Sequence, residues 1–320
     1  MIQHPTQLRV LAVFQRYGTT IHDYLFNHLW RNQGIRLDSM RIEDVSTDDI
    51  EKADVVLIAA CNDHFEAERL KQIATWGDEA GKPVLNRPEA LGRCSRQPLS
   101  RLLREDGIGA ARVEQVASRD ALLAMTDLRY PLIVRQEFSH KGSSVRFVRD
   151  REEAAALDPK GFSDSTVAIE FFDYRSDDGR YHKFRVVMVG DRLVPHHAIS
   201  SLDWNIHAGS RRDDTEAFHI EENRRYREGP LHEADTLLRA KALTGLDYAI
   251  VDYTLDKDGK PFIFEMNPCY QIIQPESFKR DWSASLWTVN GYCRLFGEYL
   301  FERAGRAPSG PLQINETLVL

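Results

Sequence analysis

Three oxygen-bearing side chains, Asp252, Glu265 and Asn267, stand in two apolar runs joined by the polar stretch Asp256, Lys257, Asp258, Gly259 and Lys260. Residues 248–255 and 261–267 read as the strands of a hairpin. Side chains alternate faces along a strand, so Asp252 falls with Ile250 and Thr254, and Glu265 and Asn267 fall with Ile263. Phe262, Phe264 and Met266 are then expected on the other face. A turn closed by Asp256 and Pro261 sets Asp252 opposite Glu265, with side chains about 5 Å apart. Two carboxylates so placed repel unless a cation lies between them. Magnesium suits the position: it takes oxygen ligands, usually one or two carboxylates plus phosphates, and the Asn267 amide oxygen adds a neutral one. A solvated hairpin face is the competing explanation, but the apolar Phe262, Ile263 and Phe264 favour a buried strand, where unpaired acids are costly.

Two further groups of side chains could touch a ligand. Lys183 and Arg185 lie two apart in a strand pattern and aim two positive charges the same way, unless that face is merely solvated. His196, His197, Trp204, Asn205 and His207 form a polar-aromatic cluster within twelve positions, expected as a substrate-side wall. A histidine taken singly is more often structural.

The chain of 320 residues is 42% hydrophobic and 28% charged, enough for two or three packed units. Its net charge of −7 is spread without a long run of one sign, which argues against a general nucleic-acid binder. The longest apolar stretch, 55–61, is far short of the roughly 20 residues a membrane span needs, and the amino terminus lacks a signal-peptide pattern. A cytoplasmic protein without membrane or nucleic-acid partners is expected. Cys61, Cys94, Cys269 and Cys293 lie at least 24 positions apart and read as reduced thiols, and none of the eleven histidines makes a His-Glu-x-x-His motif.

The first ninety residues alternate strand and helix patterns: strands at 8–14, 37–42, 55–60 and 83–86, helices at 20–32, 50–53 and 64–80, a small parallel α/β layer. No Gly-x-Gly-x-x-Gly follows the first strand, which argues against a dinucleotide site. A helix over 95–105 carries Leu99, Leu102 and Leu103 as its apolar stripe. Strands follow at 131–135 and 145–148, around the polar loop of Lys141, Gly142, Ser143 and Ser144, then a helix at 150–157, a strand at 166–172 and a hairpin over 183–199. A helix over 231–244 stops at Gly245.

With these elements around the Asp252, Glu265 and Asn267 triplet, the chain resembles the ATP-grasp superfamily, in the branch of carboxylate–amine ligases. The resemblance covers roughly residues 83–275 and is firmest at 247–268. It implies an α/β fold: a Rossmann-like amino-terminal layer over 1–93, then a two-lobed ATP-grasp domain with antiparallel sheets, its small lobe 94–165 and large lobe 166–305, and a loose tail 306–320. In that family a strand acid and a Glu-x-Asn on the next strand hold magnesium, which matches Asp252, Glu265 and Asn267. Gly142, Ser143 and Ser144, with Lys141, resemble the loop that closes over the phosphates and orders with nucleotide. Residues 168–172 are similar to the segment that contacts adenine, with Glu170 the polar contact beside Phe171 and Phe172. Arg96 and Arg135 stand where the family commonly places phosphate-binding lysines. Arginine keeps the charge but not the compact shape, and an ordinary ion pair is the alternative for each. Arg185, with Lys183, matches the position that holds a substrate carboxylate or the transferred phosphoryl group.

The resemblance implies ATP and Mg2+ as cofactors, and a carboxylate joined through an acyl phosphate to an amine or peptide. A small-molecule kinase on the same scaffold and a nucleotide-binding module without turnover are the rival readings. Self-association, to a homo-oligomer, stays open. Glu265→Gln is expected to abolish turnover, and to leave the metal-free fold as stable or more so by relieving repulsion from Asp252.

Overall fold

The alternating pattern of the first ninety residues becomes a parallel sheet of β1 (Leu8–Phe14), β2 (Ile35–Arg41), β3 (Val55–Ala59) and β4 (Val84–Leu85), in the order β2-β1-β3-β4. The structure, a computed structural model, describes residues 6–14, 34–60, 66–137, 145–206, 214–268 and 282–310. The helix expected over 20–32 lies outside them. Every position of β3 is buried, as befits a parallel strand covered on both faces. Helices α1 (Thr47–Lys52) and α2 (Ala67–Glu79) bring Ile50, Leu70 and Ile73 against Leu11, Val13, Val56 and Ile58 on one face.

After α3 (Pro88–Arg93) and α4 (Arg96–Glu105), β5 (Val113–Gln115), α5 (Arg119–Ala124), β6 (Leu132–Gln136), β7 (Arg146–Val148), α6 (Arg151–Ala156) and β8 (Thr166–Glu170) build a second sheet. It is antiparallel, in the order β5-β8-β6-β7. A third antiparallel sheet, β10-β9-β11-β12, comes from β9 (Tyr181–Val189), β10 (Arg192–Ser201), β11 (Tyr248–Leu255) and β12 (Pro261–Asn267). Between and after these strands run α7 (Glu216–Glu228), α8 (Ala234–Thr244) and α9 (Trp282–Arg303). Gly245 ends α8 with φ of 73°, a left-handed turn that suits glycine.

Helix α9 joins the first and third sheets. Its Phe296, Leu300 and Phe301 share one core with Leu8, Val10 and Leu57 of the parallel sheet and with Val187, Tyr248 and Ile250 of the third. The expected loose tail is held at its start: Arg306 pairs with Asp54 at 2.7 Å and donates to the Gln7 carbonyl, and Ser309 N donates to Gln7 Oε1.

The hairpin carrying the acids closes one residue earlier than expected, with Leu255 opposite Pro261. A bulge at Phe264 restores the count, so Asp252 does lie opposite Glu265. The bulge also corrects the expected faces: Ile263 and Met266, predicted on opposite sides, share one core with Val251 and Tyr253. Phe264 turns away from Met266 to pack on Tyr174 at 5.1 Å.

Asn86 couples the parallel layer to β11. Fully buried and held at φ of 57°, it donates from Nδ2 to the Tyr248 carbonyl at 3.0 Å, and its Oδ1 accepts from the Asp247 and Tyr248 amides. Its own amide donates to Asp247 Oδ2 at 2.7 Å, while Asp247 Oδ1 accepts from Tyr299 and Arg303 of α9. Asn86→Ala strands these buried groups and is expected to cost about 2–4 kcal/mol. An unchanged thermal midpoint would assign the coupling to the apolar core alone.

Candidate active site

The second and third sheets face each other across a cleft of about 1030 Å3, counting space open to solvent. Leu99 and Leu103 of α4, Ile133 and Ile169 of the second sheet, and Phe262 and Phe264 of β12 give it apolar walls. An aromatic group closes one side: Phe147 meets Phe171 edge-on at 5.0 Å, and Trp204 packs on both, at 5.1 and 5.6 Å. Phe172 stacks on Phe262 at 4.1 Å. A flat, weakly polar ligand fits such walls.

Charge collects elsewhere in the cleft, where Arg96, Arg135, Lys183, Asp252 and Glu265 all contribute to the lining. Asp252, only 2% exposed, is gripped by Arg185 through Nε to Oδ1 at 2.5 Å and Nη2 to Oδ2 at 2.7 Å. Lys183 Nζ lies 3.7 Å from Asp252 Oδ2 and donates to the Ile206 carbonyl. Glu265 Oε2 accepts from Arg96 Nη2 at 2.9 Å, and Oε1 accepts from the Asn267 amide at 3.1 Å. The Arg96 amide donates to Glu137 Oε1, and its Nε to the Glu137 carbonyl.

These contacts set the protonation states. Burial pushes Glu265 up, but Arg96, Lys183, the Asn267 bond and Arg185 more than offset it and hold the carboxyl well below its usual range. Arg135 is pushed down to about 10 by desolvation and by the neighbouring Arg96 charge, against the pull of Glu265 and Glu137. It stays cationic at neutral pH, poorly solvated and beside a second guanidinium, an arrangement that favours an incoming anion.

Among the described residues no cluster of three or more His, Cys, Asp or Glu side chains could hold a metal. The donor set of Asp252, Glu265 and Asn267 is two carboxylates and an amide. It fits magnesium, which needs only one or two protein carboxylates and completes its shell with water and phosphate. The expected acid–acid repulsion is absent, because each carboxylate already faces its own cation.

Arg96, Arg135, Glu170, Phe171, Phe172, Lys183, Trp204, Asn205, Asp252 and Glu265 all line the one cleft. Glu170 departs from its expected part as the polar contact to a base: both carboxylate oxygens are taken by Arg129, at 3.0 Å from its amide and 2.8 Å from Nη2. His196 and His197 sit on β10 and do not line the cleft, so the expected wall divides in two. His207 and the loop residues Lys141, Gly142, Ser143 and Ser144 lie outside the described residues. Sequence reasoning missed Glu137, two positions after Arg135 on the same strand path, and Arg129, for which no local signal existed.

No family model matches the chain, and no curated protein matches it in sequence. Solved structures do. A RimK domain ATP-grasp protein from Sphaerobacter thermophilus is 13% identical with a TM-score of 0.56, over 91% of this chain and 99% of that one. The ATP-grasp ligase PsnB, complexed with a precursor peptide and AMPPNP, is 14% identical with a TM-score of 0.59, over 95% and 99%. D-alanine–D-alanine ligase from Bacillus anthracis, complexed with ATP, is 17% identical with a TM-score of 0.57, over 93% and 99%. The likeness is one of fold: this chain has the ATP-grasp fold, with its cleft between two antiparallel sheets.

Arg135→Ala is expected to weaken binding of a non-hydrolysable ATP analogue by about 10- to 100-fold, the worth of a charge-assisted contact. Arg135→Lys recovers part of this, because the charge returns without the planar fork. Calorimetry on the three proteins is the check, and equal affinities would leave Arg135 as a structural ion-pair partner.

Proposed function

We propose that this chain is an ATP-dependent ligase that activates a carboxylate as an acyl phosphate and joins it to an amine. The carrying observation is the placement of four cations, Arg96, Arg135, Lys183 and Arg185, around the paired acids Asp252 and Glu265 at the cleft between the two sheets. The aromatic side takes the base, with Phe171, Phe172 and Trp204 against its faces, and the charged side takes the phosphates. The structural neighbours solved with ATP or AMPPNP support that reading.

In this reading Arg96 and Arg135 neutralise the phosphates and orient them. Arg185 and Lys183 hold the substrate carboxylate against the γ-phosphorus, so that the protein's work is positioning and charge neutralisation. Asp252 fixes the Arg185 fork, and Asp252, Glu265 and Asn267 would hold magnesium. When bound, the ion stabilises charge on the phosphoryl oxygens. The carboxylate oxygen attacks phosphorus, ADP leaves, and the amine displaces phosphate from the acyl carbon. The proposal includes the division 1–93, 94–165 and 166–305 with a terminal tail 306–320, and a cytoplasmic setting. No helix among the described residues is long and apolar enough to cross a membrane.

The test is ADP release from Mg-ATP with a panel of amino acids and small dicarboxylic acids as carboxylates and hydroxylamine as amine. A ligase yields a hydroxamate in step with ADP. A stable phosphorylated product without hydroxamate marks a kinase, and tight ATP binding with no ADP under any mixture marks a binding module.

A further inference from the structure

The third sheet carries one row of side chains across all four strands. His197 of β10 pairs with Arg185 of β9, Arg185 with Asp252 of β11, and Asp252 with Glu265 of β12. Directly paired residues point to one side of a sheet, so this row runs histidine, arginine, aspartate, glutamate along a single face. Arg96 extends it past Glu265. The row has a polarity: the acids and Arg96 stand at the phosphate end, and His197 stands at the opposite edge. Two strand spacings put His197 about 10 Å from Asp252. His196 and His197 stand beside the cleft and not in its lining, one strand beyond Arg185; under the ligase reading a carboxylate held at Arg185 would set its reacting carbon between the phosphate end and His197, with β10 on the amine's side.

A bulge between Pro195 and His197 brings two imidazoles together there. His196 Nδ1 and His197 Nδ1 lie 2.7 Å apart with ring centroids at 4.7 Å. At that distance one nitrogen carries the hydrogen and the other accepts it, so the pair holds a single Nδ1 proton in common and is oriented by it. Among the described residues, the charged groups that the register places on this face of the sheet are Arg192, Arg185, Lys183, Asp252 and Glu265, with Glu298 and Glu302 of α9 set 3.7 and 3.6 Å from Arg192. On α7, Tyr226, the acid Glu222 and Asn223 meet Phe184, His182 and Ala198, on or beside the opposite face, and the ring nitrogens of His219 are buried one turn before Asn223.

Resting on the ligase reading, we infer that the His196–His197 pair is the proton acceptor for the attacking amine. An amine arrives as an ammonium ion and has no lone pair to attack with. The pair takes one proton from it. The nitrogen lone pair then forms the C–N bond while the acyl C–O bond to phosphate breaks, phosphate leaves with that electron pair, and it takes the second proton as the amide forms.

Hydroxylamine separates this step from the rest, because it is largely unprotonated near neutral pH and needs no proton acceptor. The parent and His197→Gln are compared with Mg-ATP and the carboxylate that gives hydroxamate in the parent, using hydroxylamine in one arm and glycinamide in the other. At pH 6.5 His197→Gln is expected to form hydroxamate at the parental rate but to lose amide formation by about 10²-fold or more, the usual worth of a positioned base. The amide rate of the variant should approach the parent's as pH rises past the ordinary α-amino value of about 7.7–8.0. His196→Asn, which leaves the His197 ring without its imidazole partner, should show the same split in weaker form. Hydroxamate retained in His197→Gln also reports an intact fold and nucleotide site. Loss of both products together, or of neither, in His197→Gln overturns the inference. Absence of hydroxamate in the parent overturns the ligase reading itself.

Discussion

Glu265→Gln is expected to lower ADP formation by about 10²- to 10³-fold, the scale on which one preorganised charge contact at a reacting phosphoryl group matters. The substitution keeps shape and the bond from Asn267 but removes a charge that Arg96 pairs with and that the proposed magnesium site needs. A magnesium titration of ADP release separates parent from variant, and an unchanged response would remove Glu265 from the site. The metal-free protein should also lose a little stability, about 1 kcal/mol, since a partly exposed ion pair is broken and Arg96 is left beside Arg135. Sequence reasoning expected the opposite sign, from repulsion between two bare acids. The arginines reverse it. Glu265 has a depressed folded value, so its contribution is present above the unfolded value of about 4.3 and is lost as pH falls from there toward the folded one. The gap in thermal midpoint between parent and variant should therefore narrow on acidification below about pH 4.

Asp252→Ala carries the largest expected loss of stability, about 3–5 kcal/mol, because it leaves the Arg185 guanidinium without the buried carboxylate that grips it. For a chain of this size that is a fall in midpoint on the order of 10 °C. The double variant Asp252→Leu with Arg185→Leu should recover most of it, since removing both charges abolishes the desolvation cost as well as the attraction. The double variant is expected to stay inactive, since it lacks both the proposed metal ligand and the proposed carboxylate-holding cation. Thermal melts and ADP release on parent, single and double variants check both halves. A double variant no more stable than the single would place the stabilisation in packing instead of in the ion pair.

The strand pairing at the site was legible because it depends on local signals. Two apolar runs flank a Gly-containing turn, which marks β11 and β12 as a hairpin and sets Asp252 opposite Glu265. That pairing was right by two compensating differences, a turn closed one residue early and a bulge at Phe264, and the bulge overturned the face assignment of Ile263 and Met266. A bulge adds one residue without a composition of its own, so periodicity carries no trace of it. Helix α9 is hard to read for a different reason: Tyr292, Cys293, Phe296, Leu300 and Phe301 are buried between two sheets, so apolar residues occupy most of its circumference and leave only the narrow polar line of Arg294, Glu298 and Glu302. Helix α7 has no buried residue and leans on ion pairs such as Arg224 with Glu221 and Glu228.

By itself the amino-acid sequence determined most of the strands, the ATP-grasp resemblance and the acids and amide on the last hairpin. Those follow from residue types within a few positions of each other. Only the tertiary structure decided who neutralises whom. Arg96 reaches Glu265 across 169 positions and Arg185 reaches Asp252 across 67, while Glu170, expected to face a base, is claimed by Arg129. A buried carboxylate takes whichever cation the packing of sheets brings within reach, and that choice is made by long-range geometry on which local pattern has no bearing.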